Sequence, residues 1–77
     1  MADLRLVSRG RTERLTDAET VAIGRALVDS SANAHISYPD DSGTAVVVVH
    51  EFRSDLTDVA RIRISECLGE FDESLIE

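Results

Sequence analysis

Apolar and polar residues alternate in DLRLVSR, residues 3–9, where Leu4 and Leu6 point one way and Asp3 and Arg5 the other. That period predicts a first strand over about residues 3–8. GRTER interrupts it. A period of 3.6 then takes over in LTDAETVAIGRALVDSS. Thr16 is an N-cap candidate, and Glu19 three residues on completes the capping-box spacing. At 100° per residue Thr20, Val21, Ile23, Gly24, Leu27 and Val28 fall on one side, which is the side expected to be buried. Gly24 on that side leaves room for another backbone.

The next segment, AHISYPDDSGTAVVVVHEF, reads as a hairpin. Ala34, Ile36 and Tyr38 share one face, and His35 and Ser37 share the other. Pro39 ends the strand because it has no N–H to give a ladder, and residues 40–43 supply turn chemistry. The second hairpin strand runs from about Thr44 to Arg53 and contains four consecutive valines. A last period-3.6 segment places Leu56, Ala60, Ile64, Cys67, Leu68 and Phe71 on one helical stripe. Ser54 or Asp55 is available to cap it, and Gly69 to end it. The alternation of Ala60, Ile62 and Ile64 with Arg61 and Arg63 is strand-like, but the longer window favours helix. Val59 and Ile62 fall off the stripe. Residues 72–77 read as a frayed tail or a short extra element.

The order β-α-β-β-α predicts one small α+β domain over residues 1–77. It is a two-layer sandwich of a three-stranded sheet with both helices on one face. The valine run divides into two sets. Val46, Val48, His50 and Phe52 form one, and Ala45, Val47, Val49 and Glu51 form the other. Two helices cover one face of the sheet; the other is expected to carry Arg5, His35 and Ser37, with Ala45, Val47 and Val49 from the valine strand, while His50 falls on the covered side. Ala45, Val47 and Val49 are then expected, with Val59 and Ile62, to form a partner or dimer interface. A chain of 77 residues buries a modest share of its surface alone and gains from such an interface.

Composition narrows the function. The formal net charge is −7, and all eight basic residues are Arg. That balance disfavours direct contact with nucleic acid or an anionic membrane. The charge is uneven: residues 1–14 carry a local excess of Arg, and the acids concentrate toward the C-terminal end. Glu66, Glu70, Asp72 and Glu73 form the candidate acidic surface. Cys67 is the single cysteine, so no intrachain disulfide forms. No signal-type or membrane-length apolar run is present, and a cytoplasmic location is expected.

Motifs for chemistry are sparse. His35 and His50 are the two histidines, and neither stands in a metal-ligand spacing. Cys67 sits on an apolar stripe, where a free thiol behaves as a small core residue. Arg9, Arg11 and Arg14 around Gly10 precede a helix N-terminus, as in a phosphate cradle, but neither a Gly-x-Gly pattern nor a Walker lysine accompanies them. No catalytic, cofactor or metal residues are therefore assigned. The expected function is a small acidic, non-enzymatic interaction module, a homodimer that binds and regulates or inhibits a protein partner, of phage or accessory type. The alternative is an acidic decoy that imitates nucleic acid and occupies the basic site of a nucleic-acid-binding enzyme.

Overall fold

The computed structural model describes residues 2–28, 33–52 and 56–76. Six elements follow one another: β1 (Ala2–Ser8), α1 (Asp17–Leu27), β2 (Asn33–Ser37), β3 (Val46–Phe52), α2 (Asp58–Leu68) and β4 (Phe71–Ile76). The sheet order is β2-β3-β1-β4, and every neighbouring pair is antiparallel. The class is α+β, as the sequence predicts. The sheet has four strands instead of three, because residues 71–76 form an edge strand and not a tail.

This connectivity is the split βαβ arrangement of the ferredoxin-like architecture. β1 and β2 run parallel with β3 inserted between them, and β3 and β4 run parallel with β1 inserted. The last strand docks on β1 because its core-side Phe71 packs partly against the apolar cluster. Its register is fixed from Asp3↔Ile76 to Ser8↔Phe71. Arg9 N–H continues the ladder to the Glu70 carbonyl at 2.8 Å.

Both helices start as their sequences dictate. Thr16 and Glu19 form the full capping box of α1: the Thr16 hydroxyl accepts from Glu19 N–H, and the Glu19 carboxylate accepts from Thr16 N–H. For α2 the cap is Thr57, whose hydroxyl accepts from Ala60 N–H; Ser54 and Asp55 lie outside the described residues. The helix runs through both Ile62 and Ile64, so the strand-like alternation there yields to the longer period. It ends at Gly69, which takes φ +70°, a left-handed value that glycine adopts without strain.

The core is one cluster. Leu4 and Leu6 from β1, Val47 and Val49 from β3, Ile23 and Leu27 from α1, and Ala60, Ile64 and Leu68 from α2 are all buried. Leu4 pairs with Val49 and Leu6 with Val47, and directly opposed residues share a face. Ala45, Val47 and Val49 therefore lie under the helices with no exposed surface, the reverse of the expected assignment. A β-bulge follows Val49. Ala2 pairs with Phe52 while Leu4 pairs with Val49, so β3 carries one extra residue there. Glu51 takes φ +53° to accommodate it. The bulge returns Phe52 to the core side, although strict alternation groups it with Val46, Val48 and His50.

Two loops are clamped together at the opposite end. Gly43 is buried at φ +93°. A side chain there would meet the backbone of Thr12 and Glu13 at under 3 Å. The polar Ser8 is also buried, and its hydroxyl accepts from Ala45 N–H at 2.8 Å.

Candidate functional site

The outer face of the sheet is set by register. Val7, Val46 and Ser37 lie in one row, and Arg5, Val48 and His35 in the next. His50 lies opposite Asn33 on the same face. This brings His35 and His50 together, although the sequence reading put them on opposite faces. Their rings stack with centroids 4.9 Å apart. His50 Nε2 stands 3.1 Å from His35 Nδ1, and His50 Nδ1 stands 3.1 Å from Asp3 Oδ2. The second Asp3 oxygen accepts from the bulge amide Glu51 N–H. Asp3 thus holds the bulge and orients His50 at once. No local pattern points to Asp3, because its role depends on strand pairing across 47 positions.

The second feature is the β2 edge of the sheet, where a groove of about 280 Å³ opens between α1 and β2. Ile23, Leu27, Ile36 and Val47 supply its apolar lining, and Thr20, Gly24 and Ala34 its narrow walls. Val21 and Val28, expected in the core, are 52% and 67% exposed. On a helical wheel they lie beside Gly24, on the side away from Ile23 and Leu27. Gly24 is exposed as well, and no atom lies within 4 Å of the position a Cβ would take. Among the described residues no second backbone approaches it. Among the described residues, β2 carries no formal charge, whereas the other edge, β4, carries Asp72 and Glu73.

The remaining predicted residues do not form one surface. Val59 and Ile62 are 62% and 58% exposed on the outer side of α2, away from the buried Ala45, Val47 and Val49. Glu66 is exposed on the same helix. Glu70 and Asp72 meet Arg9 at 3.7 and 3.4 Å. Glu73 takes a bidentate contact from Arg61 at 2.6 and 3.1 Å. The acidic set is thus spread over a helix, a turn and a strand, with three of its four members paired to arginine.

The arginine loop is occupied structurally. Arg11 donates to the Cys67 carbonyl at 2.6 Å and pairs with Glu19 at 3.7 Å. The Arg14 guanidinium lies 4.6 Å from the Tyr38 ring centre, and the Tyr38 hydroxyl accepts from Leu15 N–H. A cleft of about 440 Å³ separates this loop from the end of α2. Its Cys67 thiol is pushed up by burial, then by Glu19 and Glu66 nearby, which disfavours the nucleophilic thiolate. No helix among the described residues is long and apolar enough to cross a membrane.

Comparison with protein-family models, with curated proteins and with solved structures finds no match to this chain. The architecture alone assigns no activity, since this fold hosts many unrelated ones.

Proposed function

We propose that this chain is a small non-enzymatic interaction module that works as a homodimer joined through β2. The supporting observation is the contrast between its two sheet edges. Exposed edge strands pair with other chains unless charge, proline or a covering element blunts them. β4 is guarded by carboxylates. β2 has no charged residue, in a chain where 30% of residues are charged. It also lies beside a groove whose lining, apart from His35, has no titratable side chain, and near the exposed Val21 and Val28.

A second copy fits this surface by symmetry. Two β2 strands related by a twofold axis pair antiparallel and extend the sheet. The same operation brings two α1 stripes toward each other, and Gly24 permits close approach. Burying Val21, Val28 and Ile36 contributes about 1.5 kcal/mol or more for each side chain, set against the cost of association. The interface expected from the sequence thus moves from Ala45, Val47 and Val49 to the neighbouring edge. The acidic-decoy reading draws less on this surface, because Glu70, Asp72 and Glu73 are paired with Arg9 and Arg61.

Sedimentation velocity of the full chain at tens of micromolar is expected to show a dimer. Gly24→Glu should give a folded monomer, since the helix gains propensity and no atom of the described residues lies within 4 Å of the added Cβ. A wild-type monomer with rapid hydrogen exchange along β2 would overturn the proposal.

A further inference from the structure

We propose that His35 and His50 form a binding site for a borderline divalent transition-metal ion, of the zinc, copper(II) or nickel class, on the outer face of the sheet. The argument starts from Asp3. An ionised carboxylate accepts hydrogen bonds and donates none. Its 3.1 Å contact with His50 Nδ1 therefore calls for a ring proton on Nδ1. In the neutral ring the lone pair is left on Nε2, the nitrogen that faces His35. The carboxylate–histidine pair is the arrangement by which metal-binding imidazoles are held in one tautomer and made more basic.

His35 brings its Nδ1 to 3.1 Å from that lone pair. In the metal-free protein one proton bridges the two nitrogens. When His35 carries its proton on Nε2 instead, both lone pairs converge on one point without any change in protein charge. Ligands about 2.0–2.1 Å from a shared ion stand about 2.9 Å apart at a right angle and about 3.3 Å apart at the tetrahedral angle. The observed separation falls between these, so the pair needs little movement to chelate.

Imidazole nitrogen selects zinc, copper and nickel over magnesium and calcium. Among the described residues no group of three or more His, Cys, Asp or Glu residues is arranged to hold a metal. The site is accordingly a two-nitrogen chelate, with solvent in the other positions. Arg5 lies two residues along β1 from Asp3, on the same face, and opposes a cation. The chain's net charge of −7 favours one. The proposal rests on the geometry of a single chain and does not depend on the dimer.

The test uses the full chain stripped of metal with a chelator and titrated with Zn²⁺ at neutral pH. Calorimetry should show saturable uptake of one ion per chain, and Mg²⁺ should give none. Because the chain has two histidines, proton NMR follows both sites directly. The imidazole signals of both should shift together on adding Zn²⁺. His35→Ala should abolish saturable uptake while leaving the far-ultraviolet circular dichroism unchanged. Asp3→Asn should weaken it about 10- to 100-fold. Absence of saturable uptake by the wild type, or undiminished uptake by folded His35→Ala, would overturn the proposal. So would Zn²⁺ shifts confined to one imidazole.

Discussion

At the residue scale, two isoleucines two positions apart have opposite environments. Ile64 is fully buried in the core cluster, while Ile62 is exposed on the outer side of α2. Ile64→Asp places an unpaired carboxylate among leucines and valines. It is expected to remove several kcal/mol, about the full stability of a domain this small. Ile62→Asp should change stability by about 0.5 kcal/mol or less. Urea denaturation of the two variants checks the difference, and equal severe losses would contradict the helix. Glu51 shows the limit of such reading. Its positive φ comes from the bulge, and nothing in HEF announces an extra residue. Once it is present, the parity of every earlier position in β3 is reversed relative to Phe52.

At the element scale, α1 was legible because its start signal is local. Thr16 and Glu19 lie within one turn and need no tertiary partner. The Thr16 amide, then the Thr16 hydroxyl and the Arg11 charge, hold the Glu19 carboxyl below the usual range. A depressed carboxylate contributes stability above its unfolded pKa of about 4.3 and loses it as pH falls through the lower folded value. Glu19→Gln should therefore flatten the acid limb of the stability–pH curve below about pH 4.3. Thermal melts at a series of pH values measure this, and an unchanged limb would show that Glu19 is not held by its cap. β4 was hidden for the opposite reason. FDESLI contains residues disfavoured in strands, and the arginines that offset its carboxylates are Arg9 and Arg61, remote in sequence.

At the scale of the whole molecule, charge and shape act against each other in the proposed dimer. Two chains at −7 repel at long range. The joined surface itself is uncharged, so salt screens the repulsion without weakening the contact. Self-association should therefore tighten as sodium chloride rises from low to moderate concentration, with sedimentation equilibrium as the measurement. A dimer held by ion pairs would loosen instead.

The class of fold, the capped start of α1, the course of α2 through Ile62 and Ile64, and the strand character of the valine run are all legible in the order of residues. Each depends on periodicity or on groups within a few residues of one another. Only the tertiary structure decided which face of β3 is buried, that residues 71–76 join β1, and that Gly24 faces an open groove. It alone joined Asp3, His50 and His35. Register couples positions dozens of residues apart, and one bulge inverts it. No local pattern records that choice, because the core selects the face only after the strands have paired.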